Sequence, residues 1–150
     1  ARRMLEAVEK AKIFNGYQSL MTRQSLFVLL SNLPQKTVIL PRFVPAGVYH
    51  PLCQTGKSII YYDVPNDLII DTSTVLNLHL YPADTIFYYI HQFGVHVKAN
   101  IELMNIMQSK GYFVIDDRSL TLPVQNYIES ADATAYSFYK LIGLPFGGQV

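Results

Sequence analysis

"YFVIDDRSL", Tyr112 to Leu120, runs from aromatic and β-branched residues straight into two carboxylates. Over 112–117 the apolar character is nearly continuous rather than alternating, which is the pattern of a strand buried on both faces. Strands of that kind belong to parallel sheets, and in open sheets ligands gather at the carboxyl ends. Asp116 and Asp117 stand at such an end. Neighbours on a strand point to opposite faces, so the two cannot act as a facing carboxylate pair. One is expected to point into a site and the other toward a helix or solvent. From composition alone, the pair reads as an ordinary strand-ending turn.

Outward from this run, four more stretches share its character: "TVILP" (37–41), "SIIYYDV" (58–64), "DTIFYYIH" (84–91) and "DATAYSF" (132–138). A stub, "GGQV", follows at 147–150. Helical segments separate the first four strands. Thr22 is placed to N-cap a helix carrying Leu26, Phe27, Leu29 and Leu30, which Asn32 and Pro34 would end. Residues 98–110 present Ile101, Met104 and Met107 on one face, with Asn100 as cap and Gly111 as stop. The segments 44–55 and 71–80 carry weaker helical signals, the first because of its prolines and Gly47. Alternating helices and strands predict an α/β fold with a mainly parallel sheet flanked by helices and right-handed crossovers. No repeat, low-complexity tract or linker divides the sequence, so 1–150 reads as a single α/β domain. The unpaired stub suggests that more protein follows.

Composition narrows the function classes. The chain is 50% hydrophobic and 15% charged, as expected of a packed globular domain long enough for a sizeable core. A formal charge of +1 gives no reason to expect nucleic acid or an anionic membrane as partner. Cys53 is the only cysteine, which excludes an internal disulfide and fits the reducing cytoplasm. The densest apolar run, "LFVLL" at 26–30, is far too short to span a bilayer. The first residues, "ARRMLEAVEKAKIF", carry charges throughout and do not read as a signal peptide.

Three strand ends carry candidate chemistry: "HQFG" (91–94), "DDRS" (116–119) and "SFYK" (137–140). Lys140 lies between Tyr139 and Leu141, ahead of "GLPFGG", where partial burial is expected. Burial would favour the free amine, the form that attacks a carbonyl. Two other matches fail. "QTGKS" (54–58) imitates the end of a phosphate-binding loop, but Pro51 stands where that loop needs glycine, and a strand follows instead of preceding. "SFYK" is formally S-x-x-K, without the S-D-N and K-T-G that accompany it in penicillin-binding enzymes. His50, His79, His91 and His96 lack zinc-site spacing; His91 is expected to face the strand-end crevice and the others to be structural or superficial.

Taken together, these segments resemble the large domain of the DegT/DnrJ-type aminotransferases. These are pyridoxal-phosphate (PLP) enzymes of the aspartate-aminotransferase fold, fold type I, many of which act on nucleotide-linked keto-sugars. The resemblance runs from about Tyr17 to Val150. "MTRQSLFVLL", "TVILPRFVPAGVYHP", "YYDVPNDLIID" and "YYIHQFG" carry it, and "YFVIDDRSL" and "YSFYKLIGLPFGG" are its most specific parts. It implies that Asp117 holds the pyridinium nitrogen, Ser137 contacts the phosphate and Lys140 forms the Schiff base. Thr22 and Arg23, at the opening of the first helix, would offer donors to the phosphate. Gly147 and Gly148 would let backbone pass close to the cofactor. The sequence departs from the family at Thr22, where glycine is usual, and at Leu120, where histidine or glutamine is usual. Phe43 aligns imperfectly with the ring-stacking aromatic.

What the resemblance implies is a cytoplasmic, homodimeric aminotransferase passing an amino group from an amino donor to a keto-sugar-type acceptor through a Lys140 aldimine. Family members run to more than twice this length, with a second, smaller domain. The chain is therefore expected to be the N-terminal part of a larger PLP-binding protein, and inactive alone. A second reading is a degenerate or truncated homologue acting as a binding or interaction domain. A sheet edge left open after "GGQV" would then drive self-association. A third is a small-molecule or nucleotide binder using the same crevice without covalent chemistry.

Overall fold

The computed structural model describes residues 18–121, 131–142 and 146–150. The N-terminal segment, Tyr17 and positions 143–145 of the lysine loop lie outside the described residues.

The β-branched and aromatic runs form strands: β1 (Gln18–Ser19), β2 (Thr37–Pro41), β3 (Ser58–Tyr62), β4 (Thr85–Ile90), β5 (Phe113–Asp117), β6 (Ala133–Ser137) and β7 (Gly148–Gln149). Between them lie α1 (Thr22–Asn32), α2 (Ala46–Gln54), α3 (Thr72–Leu76), α4 (Lys98–Ser109) and the short α5 (Phe138–Ile142). One sheet results, in the order β1-β7-β6-β5-β4-β2-β3. Strands β2 to β6 pair in parallel, whereas β7 pairs antiparallel with both β6 and β1. The α/β architecture with a mainly parallel sheet is as the sequence predicts.

Helices cover both faces, which explains the unbroken apolar runs. On one face Leu26 and Leu30 of α1 and Val48 and Leu52 of α2 pack on Leu40, Tyr88 and Ile115. On the other, Val75 of α3 and Leu103, Met104 and Met107 of α4 pack on Ile39, Phe87 and Val114. Every residue of β4 is buried, because its alternating side chains enter both cores. Burying one such leucine contributes about 1.5–3 kcal/mol.

Three expectations are corrected. The residue capping α1 is Met21, whose N–H is held by the Gln24 side chain at 3.1 Å. Thr22 is the first helical residue, and its hydroxyl instead donates to the Tyr136 carbonyl of β6 at 2.8 Å. Asn100 is not a cap either, since α4 begins at Lys98. It is buried inside α4, where its Oδ1 accepts from Ile70 N–H and its Nδ2 donates to the Leu68 carbonyl. Finally, "GGQV" leaves no open edge. Gly148 and Gln149 lie inside the sheet, paired with β6 on one side and with Gln18 and Ser19 on the other.

Candidate functional site

Register brings three carboxyl ends side by side: Ile90 pairs with Asp117, Asp117 with Ala135, and Ser137 with Gly148. Above them the N-terminus of α1 closes one wall. The resulting cleft encloses ≈ 580 Å³, open solvent at its mouth included. Thr22, Arg23, Asp117, Ser137 and Lys140 all line it, with Leu120 and Tyr139 at its rim. Five of the seven residues singled out in the sequence are thus neighbours, although they come from three distant segments.

Asp117 is on the α1 face and almost wholly buried. One carboxylate oxygen accepts from the Ser119 N–H at 2.9 Å, the other from the Tyr88 hydroxyl at 2.8 Å. Burial raises its pKa above the usual carboxylate value, against the opposing pull of the Ser119 and Tyr88 hydrogen bonds and the Lys140 charge. Tyr88 was not singled out in the sequence. Its signal was available, because alternation along β4 puts it on the same face as Ile90, beside Asp117.

Ser137 ends β6 with its hydroxyl buried and without a hydrogen-bond partner among the described residues. A buried orphan hydroxyl is costly unless something completes it. Gly148 sits directly behind the opening of α1. A Cβ there would collide with the backbone of Met21 and Thr22. Position 22, where the resembled family usually has glycine, is threonine, and the close backbone approach here is that of Gly148 to Met21 and Thr22. The Thr22 side chain is turned to β6 by its hydrogen bond to Tyr136. Gly147 has a φ of +130°, which favours glycine, and its N–H is held by the Leu20 carbonyl. Neither glycine lines the cleft; both support its wall.

Lys140 departs from expectation. It is exposed, not partly buried, with its Nζ 5.9 Å from the centre of the Tyr139 ring. The chain leaves the strand after Ser137 and turns into α5, which carries Lys140 to the cleft's mouth rather than its floor. Phe43 is 60% exposed and lies against Phe93, ring centres 5.9 Å apart, rather than lining the cleft.

The other aspartate is also no mere turn residue. Asp116 is fully buried on the opposite face, 2.9 Å from His91 and 2.6 Å from Arg118. His91 is completely buried there and does not face the cleft, because it continues the parity of Phe87 and Tyr89. No group of three or more metal-ligating side chains occurs among the described residues. No helix among them is long and apolar enough to cross a membrane.

No protein-family model matches the chain, and no curated protein sequence matches it. Solved structures do. PseC from Helicobacter pylori, an aminotransferase of pseudoaminic acid biosynthesis, superposes with a TM-score of 0.74 at 18% identity, over 99% of this chain and 43% of its own. The aminotransferase TlmJ from Streptoalloteichus hindustanus gives 0.72 at 16%, over 99% and 44%. NtdA from Bacillus subtilis, solved with its cofactor PMP bound, gives 0.73 at 19%, over 97% and 36%. The chain shares the fold of these aminotransferases. It spans less than half the length of each. The likeness agrees with the resemblance carried by its strand ends, and at these identities it establishes the fold.

Proposed function

We propose that this chain is the cofactor-binding portion of a PLP-dependent aminotransferase acting on a keto-sugar-type acceptor. The observation that carries the reading is the convergence, in one cleft, of a buried carboxylate, an orphan buried hydroxyl, a helix N-terminus and a lysine. These groups fit PLP in kind. The free N–H groups opening α1, with the Ser137 hydroxyl and Arg23, suit a phosphate. Asp117 suits a protonated ring nitrogen, and a cation there would offset the cost of its own burial. When bound, PLP supplies the electron sink for transamination. Lys140 supplies the amine at the mouth, where it can exchange a proton with a substrate carbon. The amino donor, the keto-sugar acceptor, a homodimeric assembly and a cytoplasmic setting belong to this proposal. Its supports are the aminotransferase fold and, for the last, the free Cys53. The rest of the machinery would come from a longer polypeptide of which this is the N-terminal part, in line with the 36–44% coverage of the matched structures.

A second reading, a non-catalytic binding domain, is favoured by one observation. Leu120 puts an apolar side chain at the cleft where a polar partner for the ring oxygen is usual, and it is 45% exposed. Titration with PLP, followed by absorbance and competed with inorganic phosphate, separates the two. Saturable binding that phosphate weakens supports the cofactor site; binding indifferent to phosphate and to Ser137→Ala contradicts it.

A further inference from the structure

On the face opposite Asp117, four side chains from the carboxyl ends of three adjacent strands meet. Asp116 accepts from Arg118 Nε at 2.6 Å and lies 2.9 Å from His91 Nε2. Arg118 Nη1 donates to the Tyr136 hydroxyl at 3.1 Å. Asp116 and His91 are fully buried and Arg118 is 4% exposed. The His91 ring stands edge-on to Tyr89 at 4.8 Å and to His96 at 4.6 Å. Desolvating such charges costs several kcal/mol per ion, and an apolar substitute is often as stable, so stability alone does not account for the cluster.

Its placement does. His91 directly follows β4, Asp116 precedes and Arg118 follows Asp117 at the end of β5, and Tyr136 belongs to β6. The backbone around Asp117 is held from both sides. The His91 N–H donates to the Asp117 carbonyl at 3.1 Å, and the Arg118 N–H to the Ala135 carbonyl at 2.8 Å. Just beyond, Gly94 passes so close to the Leu120 carbonyl that a Cβ would lie 2.5 Å from it. We propose that His91, Asp116, Arg118 and Tyr136 are positioning residues that fix the end of β5 and so hold the Asp117 carboxylate and the Ser119 amide at the cleft floor. Only the identity of what Asp117 contacts rests on the PLP reading; the positioning does not.

The test uses cofactor-free protein, so it stands whether or not PLP binds. Tyr136→Phe removes one hydroxyl and no charge; Arg118→Met removes the guanidinium, and Arg118→Lys restores a cation. Carboxyl carbon NMR would follow the titration of Asp117, and hydrogen exchange the Ser119 amide. Burial holds the Asp117 midpoint up and the Ser119 hydrogen bonds pull it down, so a loosened strand end changes both and shifts it. In Tyr136→Phe and Arg118→Met the midpoint should shift and Ser119 should exchange roughly tenfold faster, with Tyr88 and Val114 amides unchanged. Arg118→Lys should recover part of both. A midpoint shift in Arg118→Met with Ser119 exchange unchanged reports only the loss of a positive neighbour and overturns the proposal. So does an unchanged Asp117 and Ser119 in Tyr136→Phe. If PLP fails to bind wild type while these shifts occur, the cofactor reading falls and the anchor stands.

Discussion

Asp117 is a carboxylate held in a desolvated place, and its energetics give a signed prediction. Its folded-state pKa is raised by burial from an ordinary 3.8. The stability it contributes is therefore fully present below the ordinary value and lost as pH rises through the higher folded one. Asp117→Asn should raise the melting temperature of cofactor-free protein at pH 7 by a few degrees. That advantage should shrink toward about pH 4. Thermal melts across this range check it; an advantage constant with pH would contradict it. Under the proposed function, the same substitution should weaken PLP binding, because the anion that would face the ring nitrogen is lost. At this scale the sequence was partly legible. The alternation rule separated Asp116 from Asp117, and the resemblance carried by "YSFYKLIGLPFGG" pointed to Ser137 and Lys140. It did not show Asp116 paired with His91, because partners from different strands are brought together only by register; Arg118, two residues after Asp116, was within reach of the same alternation rule.

At the scale of elements, the site depends on how closely α1 approaches β7. Gly148→Ala would drive a Cβ into the backbone of Met21 and Thr22. Overpacking of this kind costs typically about 1–3 kcal/mol. Urea denaturation should show that loss, and PLP affinity should fall with it as the helix N-terminus moves off. Thr22→Val should cost about 1 kcal/mol through the lost bond to Tyr136. It should leave the free N–H groups of α1, and hence PLP affinity, largely in place. Equal losses of affinity in the two variants would contradict this division of roles. Most elements were readable: β2 matches its predicted span, and β3 to β6 lie within theirs. The α1 cap was misread because Thr22 favours a long-range acceptor on β6 over its own helix. The pairing of "GGQV" was missed because a two-residue strand carries no periodicity, and its partner lies about 130 positions away in sequence, a separation no local pattern reports.

For the molecule as a whole, the fold is shared with solved aminotransferases, and the cleft is where the proposed cofactor would sit. A ligand that binds only the folded state stabilises it by mass action, by about 2.7 kcal/mol at a hundredfold excess over Kd. PLP should therefore raise the melting temperature of wild type and of Arg118→Lys, and raise it less in Ser137→Ala. The overall architecture was legible in the sequence because unbroken apolar runs, separated by helical segments, mark strands buried on both faces. The exposure of Lys140 was not, because it depends on where α5 carries the side chain after the strand ends. The most direct measurement is to incubate the protein with PLP, reduce it with borohydride and map the modified residue by mass spectrometry. A covalent label confined to Lys140, and lost in a folded Lys140→Ala variant, is the predicted result. A label scattered over surface lysines, or retained in the Lys140→Ala protein, would contradict the central claim.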